Sequence, residues 1–247
     1  MSARAAHAQL DGYISRVVEH DFPDQGHLVR RPASLLGWLR AYAAAAGTTA
    51  SYNSILDAAT PGDSDKPAKT TTIGYRDVLT QLWAARSAAR VGADGKRPHQ
   101  ACSAPKHHLA DPALAARLLN LTRDTLLRAP DQTPTFGRPE PVVGGLFESL
   151  VALDVRVYAQ AAEASVSHLR TRNGDHEVDL IVEGPAGRVL ALEVKLAPTV
   201  GDKDVRHLHR LRERIGGDLL DAAVITTSPY AYRRSDGIAV IPALLAP

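Results

Sequence analysis

The sequence is poor in the features that mark secreted, disulfide-bonded or membrane-spanning proteins. Its 247 residues include a single cysteine, Cys102, which excludes an internal disulfide and any zinc site built on a cysteine pair. No apolar run approaches the ~18 residues that a transmembrane helix requires. The N-terminal residues are small and polar and lack the apolar segment of a secretory signal. These absences predict a cytoplasmic protein that does not enter a membrane.

The chain also lacks a large excess of charge of either sign. Its formal net charge is +2, so a nucleic-acid contact would have to come from local basic patches rather than from a global field. No Gly-x-x-x-x-Gly-Lys-Ser/Thr phosphate loop occurs, which excludes a P-loop ATPase module within these residues. Hydrophobic residues make up 45% of the sequence, enough for one or two globular cores.

The pattern of elements predicts two domains. Residues 1–128 carry helical periodicity and are predicted to form a helical, winged-helix-like domain. Residues 129–141 contain four prolines and no periodicity, which is typical of a linker. In residues 142–247 the predicted order is a helix, three strands, a helix and further strands. This order predicts an α/β (α+β) domain with a mixed central sheet.

The strongest local pattern is a predicted β-hairpin over residues 179–195. If its turn centres near Pro185, Asp179 lies opposite Ala191 and diagonal to Glu193, with Lys195 on the same face one pleat further. The even-numbered positions of the two strands are all apolar and are predicted to form a buried face.

Two carboxylates and an ammonium on one sheet face suit metal-dependent phosphodiester cleavage. Asp179 and Glu193 would bind Mg²⁺ or Mn²⁺ through oxygen, and Lys195 would stabilise charge or the attacking hydroxide. The competing interpretation is that these are solvated residues on an exposed strand. The pattern of Asp followed by Glu-x-Lys resembles the core of the PD-(D/E)XK, or restriction-endonuclease-like, nuclease superfamily.

A second resemblance involves several motifs in a fixed order. They are Gly145-Leu-Phe-Glu-Ser-Leu-Val151, His168-Leu-Arg-Thr171, Glu177-Val-Asp-Leu-Ile181, Leu192-Glu-Val-Lys195 and Asp236-Gly-Ile-Ala-Val-Ile-Pro242, with Pro105 to Leu114 upstream. Together they resemble the DUF4143-type C-terminal domain of bacterial and archaeal AAA-type ATPases, over roughly residues 10 to 245. The resemblance implies an AAA-type ATPase as a partner in trans, or as a module of a longer chain of which this is a fragment.

The nuclease resemblance implies further site residues. Glu148, on the helix before the sheet, would be a third metal ligand and a catalytic residue, although an exposed glutamate is the alternative. Arg170 and Arg172 would contact nucleic-acid phosphates, or would instead pair with Asp175 or Glu177 across the hairpin. DNA is a more expected substrate than RNA, and a homodimer is a further expectation because many such nucleases cut two strands as dimers.

Two functions therefore stay open. One is a Mg²⁺- or Mn²⁺-dependent endonuclease. The other is a non-catalytic nucleic-acid-binding or regulatory module that works with an AAA-type ATPase. Fold resemblance alone does not establish activity, and bound metal would distinguish the two.

Overall fold

The computed structural model describes residues 2–26, 29, 31–59, 69–82, 89–90, 106–128, 142–171 and 175–245. The chain divides into two compact units: a helical unit, formed by residues 1–86 and 106–149, and a sheet unit, formed by residues 87–105 and 150–247. The predicted linker, residues 129–141, lies outside the described residues. The part of the chain that the structure describes contains no helix long and apolar enough to cross a membrane.

The regular elements described in the helical unit are helices. They are α1 (Ala3–Arg16), α2 (Phe22–Asp24), α3 (Pro32–Ala44), α4 (Tyr52–Ala59), α5 (Lys69–Leu82), α6 (Pro112–Leu118), α7 (Arg123–Arg128) and the first residues of α8 (Val142–Ala161), with a π-helical turn over Val17–Asp21 between α1 and α2. Asp111 caps α6, because its Oδ1 accepts the backbone N–H of Ala113 at 2.7 Å. An acidic cap followed by proline at the first helical position is a typical helix start.

The helical unit is held by an aromatic cluster. The rings of Trp38 and Tyr42, one helical turn apart on α3, stack at 5.3 Å, and Tyr75 of α5 meets Trp38 edge-on at 5.8 Å. Phe22 packs edge-on against Tyr75, also at 5.8 Å. Stacked and edge-to-face pairs add stability beyond their buried area. These aromatic contacts join three separate helices, α2, α3 and α5.

The sheet unit has mixed parallel and antiparallel strands, as predicted. Its described strands are β1 (Ala89–Arg90), β2 (Ser165–Arg170), β3 (Glu177–Glu183), β4 (Val189–Lys195), β5 (Leu219–Thr226), β6 (Tyr232–Arg233) and β7 (Ala239–Pro242). They lie in the order β1-β2-β3-β4-β5-β7-β6. Strands β2, β3 and β4 are antiparallel neighbours, whereas β4, β5 and β7 run parallel. The unit is therefore α/β, as expected from the order of its elements.

Helix α9 (Asp202–Ile215) connects β4 to the parallel strand β5 and packs against the sheet. Its apolar residues Val205, Leu208 and Leu211 are buried and share a core with Ile181 of β3 and Ala191 of β4. The spacing of three along the helix places them on one face. This face of α9 therefore covers the side of the hairpin on which Ile181 and Ala191 lie.

The register of the β3–β4 hairpin differs from the prediction. Ile181 pairs with Ala191, and Leu180 pairs with Leu192. The turn centres on Ala186 rather than Pro185, because Gly187 adopts a φ of 73° and Gly184 N–H bonds Arg188 O at 3.0 Å. A positive φ is tolerated readily by glycine. Extending the register by one residue puts Asp179 directly opposite Glu193.

A β-bulge in β3 corrects the prediction of one apolar and one polar face. Against β2, Ser167 pairs with Ile181 but Leu169 pairs with Val178, so Asp179 and Leu180 together lie opposite a single residue. One extra residue shifts the alternation of side chains. Val178 consequently joins the core that contains Ile181, although its even number had placed it on the opposite face.

Candidate active site

Two buried carboxylates meet where the β3–β4 ladder ends. Asp179 is 8% exposed and Glu193 is 3% exposed. Asp179 Oδ2 accepts the backbone N–H of Val194 at 2.8 Å, and Glu193 Oε2 accepts the backbone N–H of Asp179 at 3.3 Å. Each acid therefore accepts a hydrogen bond from the strand that carries the other acid.

The pair lies near the carboxyl end of the parallel strands. Glu193 pairs in register with Val224, and Lys195, the last residue of β4, pairs with Thr226, the last residue of β5. In α/β sheets, ligands bind most often beyond the carboxyl ends of parallel strands. Lys195 is half-buried there, two residues beyond Glu193.

The donor set suits a hard divalent cation only in part. Within the described ranges, no group of three or more His, Cys, Asp or Glu side chains is placed to hold a metal ion. Mg²⁺, however, is commonly held by one or two carboxylates, with water and substrate phosphate completing its coordination. Asp179 and Glu193 fit that smaller set, because both are carboxylates, both are buried and they lie on facing strands.

Of the two arginines predicted to contact phosphates, the structure describes Arg170. Arg170 pairs across the strands with Glu177, and Arg170 Nη1 lies 3.9 Å from Glu177 Oε2. The cross-strand ion pair considered as an alternative role for Arg170 is thus present. Both side chains are about one-third exposed, so the pair contributes little stability and leaves the arginine accessible. Arg172 lies outside the described residues.

The N-terminal half of the chain matches a protein family. Residues 1–125, half of the chain, match the family described as "Domain of unknown function (DUF8612)". The chain belongs to this family. Residues 143–245 match a second family, "Domain of unknown function (DUF4143)". The resemblance to DUF4143 is confirmed for the C-terminal region, whereas the residues upstream, to which it had been extended, match DUF8612 instead.

No curated protein and no solved structure matched this chain.

Glu148, at the start of the DUF4143 region, lies in the helical unit rather than on a solvent-exposed surface. Its carboxylate is 2.7 Å from Nζ of Lys106, a residue of the DUF8612 region, and the two side chains are 7% and 0% exposed. A fully buried lysine that stays charged requires such a partner, because burial without one is very costly. This ion pair gives Glu148 a structural function that the sequence did not predict.

The residues around Glu148 form a buried polar network. Ser149 Oγ donates to Gly145 O at 2.8 Å and lies 3.0 Å from His108 Nδ1. Because the serine has only one proton to donate, His108 Nδ1 must donate to Ser149. A Cβ at Gly145 would lie 2.6 Å from Ala46 O, so only glycine fits at this close approach. The Gly145–Ser149 motif therefore serves packing within the helical unit.

Sequence reasoning missed a histidine pair beside the hairpin. His176 directly precedes β3, and its Nδ1 lies 3.3 Å from Nδ1 of His207 on α9. Burial lowers the pKa of His207, and the charges of Arg206 and Lys195 act in the same direction against the opposing charge of Glu177. The histidines are 31 residues apart, so no local pattern reveals the pair.

The Asp236-Gly motif is a structural latch. Burial alone would raise the pKa of Asp236, but hydrogen bonds from Ile238 N–H, His209 and Arg234 lower it to about 2. The carboxylate accepts from His209 Nε2 and Arg234 Nε, both at 3.0 Å. The latch ties α9 to the segment that leads into β7, and it adds no residue to the carboxylate pair.

Proposed function

We propose that the chain is a Mg²⁺- or Mn²⁺-dependent phosphodiesterase of the PD-(D/E)XK type, with DNA as its substrate. The observation that carries this proposal is the pair of buried, facing carboxylates of Asp179 and Glu193, followed by Lys195. Burying one carboxylate costs several kcal/mol, and burying two side by side costs more unless cationic or N–H partners compensate. Such a pair is favoured where a cation binds.

The protein residues would divide the chemistry among themselves. Asp179 and Glu193 would hold the metal, which when bound polarises a phosphate oxygen and lowers the pKa of a water. Lys195, whose charge is felt at His207 on the neighbouring helix, would stabilise negative charge as it develops on the phosphate. Arg170, and Arg172 by sequence alone, would bind neighbouring phosphates.

Glu148 has a smaller role in this proposal than the sequence suggested. Its carboxylate neutralises the buried Lys106, and that ion pair would have to break or share its oxygens for Glu148 to bind a metal. We therefore assign the metal to Asp179 and Glu193. Loss of Glu148 is expected to act through folding.

The hydrogen bonds of the carboxylates favour a second candidate. Each acid already accepts a backbone N–H where the strand ladder ends, which is a purely structural use of a carboxylate. In that case the sheet unit would be a non-catalytic module that binds nucleic acid or regulates an AAA-type ATPase. Either candidate is compatible with a winged-helix-like role for the helical unit and with a homodimer.

Cleavage of labelled DNA in the presence of Mn²⁺ or Mg²⁺ distinguishes the two candidates. Single-stranded, duplex and branched substrates should be compared, with EDTA as the blank. Asp179→Asn keeps the size and an amide oxygen at this position but removes the charge that holds the metal. We expect metal-dependent cleavage by the wild type and none by Asp179→Asn. Equal nuclease activity in both preparations would show that the cleavage does not depend on Asp179 and would remove the proposal.

A further inference from the structure

A chain of hydrogen bonds fixes the position of the ring protons in the histidine pair. Arg206 Nε donates to His207 Nε2 at 3.0 Å. Because that nitrogen accepts, the ring proton of His207 lies on Nδ1. His207 Nδ1–H therefore donates to His176 Nδ1 at 3.3 Å, and the proton of His176 lies on its other nitrogen, Nε2.

The backbone around His176 holds this ring in place. His176 N–H donates to Thr171 Oγ1 at 3.2 Å, and Thr171 N–H donates to His176 O at 2.9 Å. The rings of His176 and His207 also pack edge-on with centroids 5.4 Å apart. Groups fixed by packing and by neighbouring hydrogen bonds lose little freedom when they bind a ligand.

Several cations lie around the pair, together with the carboxylate of Glu177. His176 is three residues before Asp179, and the positive charge of Lys195 reaches His207. Arg170 lies on the adjacent strand, paired with Glu177. Among the described residues, none accepts a hydrogen bond from His176 Nε2. An N–H donor that is fixed in direction and has Arg206, Lys195 and Arg170 near it suits a phosphate oxygen.

We propose that Arg206 and His207 orient His176 so that its Nε2–H donates a hydrogen bond to a phosphate of bound DNA. The proposal rests on the proposed function for its choice of ligand, but it concerns binding and does not require cleavage. His176 would touch the substrate, whereas His207 and Arg206 would be positioning residues.

Amide substitutions test the two nitrogens separately. A Gln side chain places its amide near the Nε2 position of histidine, and an Asn side chain places it near Nδ1. His176→Gln should therefore keep DNA affinity, whereas His176→Asn should weaken it about tenfold, the effect of one hydrogen bond to a charged group. For His207 the order reverses: His207→Asn keeps the donor to His176, and His207→Gln loses it.

Affinity should be measured by fluorescence anisotropy with labelled duplex and single-stranded DNA in EDTA, where no cleavage can occur. The exposed His20, changed to Asn, is the matched control. A neutral donor releases no counterion, so His176→Asn should leave the salt dependence of binding unchanged. Arg170→Ala should instead reduce the slope by about 0.9 for duplex DNA. This contrast separates the loss of a hydrogen bond from a general change in charge.

The outcomes separate this proposal from the nuclease proposal. Wild-type affinity in His176→Asn, or wild-type protein that binds neither DNA in EDTA, overturns the inference whatever the cleavage assay shows. Weaker binding by His176→Asn with no cleavage by the wild type in Mn²⁺ supports the inference and removes the nuclease proposal. Nitrogen-15 NMR of the wild-type imidazoles needs no variant. Protons on His207 Nδ1 and His176 Nε2 support the inferred chain of hydrogen bonds. Protons on His207 Nε2 and His176 Nδ1 overturn it.

Discussion

Breaking the Lys106–Glu148 ion pair should destabilise the helical unit strongly. Glu148→Gln keeps the shape of the side chain but leaves the ammonium of Lys106, whose side chain is 0% exposed, without its counter-charge. Removing one partner of a buried ion pair costs about 3–5 kcal/mol, because the remaining charge is desolvated and uncompensated. Because the Glu148 side chain is 7% exposed, we expect Glu148→Gln to lower the free energy of unfolding by an amount near the lower end of this range, about 3 kcal/mol.

The magnitude can be checked by urea unfolding and a double-mutant cycle. Lys106→Met should cost a similar amount, whereas Lys106→Met combined with Glu148→Leu should lie within about 1–2 kcal/mol of the wild type, because no buried charge remains. Glu19→Gln, at an exposed position of the same unit, is the control and should change stability by less than about 0.5 kcal/mol. Additive single-variant effects, or a loss below about 1 kcal/mol in Glu148→Gln, would refute the buried-pair argument.

Three further predictions concern pH, the latch and Lys195. Burial lowers the pKa of His107, although its hydrogen bond to Ala50 O acts in the opposite direction, so the unfolded chain binds the proton more tightly than the folded chain. The free energy of unfolding should therefore fall as the pH drops below about 6.5. His107→Gln should flatten the pH profile of urea unfolding. The pKa of Asp236 is depressed to about 2, so its stabilisation is present above about pH 4 and lost as the pH falls towards 2; Asp236→Asn should lower the midpoint of thermal unfolding near neutral pH and remove that acid-dependent step. Lys195→Ala should abolish DNA cleavage but spare Mn²⁺ binding in calorimetry, since the ammonium is not a ligand, and unchanged turnover would make the lysine structural.

Features set by local patterns could be predicted from the sequence. The hairpin of β3 and β4 and the amphipathic helix α9 each follow from turn chemistry or periodicity within a short window.

Features set by contacts between distant residues could not be predicted. The bulge at Asp179 depends on the pairing of β3 with β2, and it changed which hairpin residues share a core. Lys106 and Glu148 are 42 positions apart, and each alone is typical of a surface residue. The pairing of His176 with His207 likewise exists only after α9 has packed on the sheet. Sequence periodicity carries no information about these partners.

The central claim is that Asp179 and Glu193 form a divalent-metal site. Calorimetric titration of the intact chain with Mn²⁺ tests it most directly, with Asp179→Asn and Glu193→Gln as the variants and Glu163→Gln, at an exposed position of the sheet unit, as the control. We predict one site in the wild type and the control, no binding in either site variant, and weaker binding at acid pH because the ligands must be deprotonated. Absence of binding by the wild type up to millimolar Mn²⁺, or unchanged binding in both site variants, would contradict the claim.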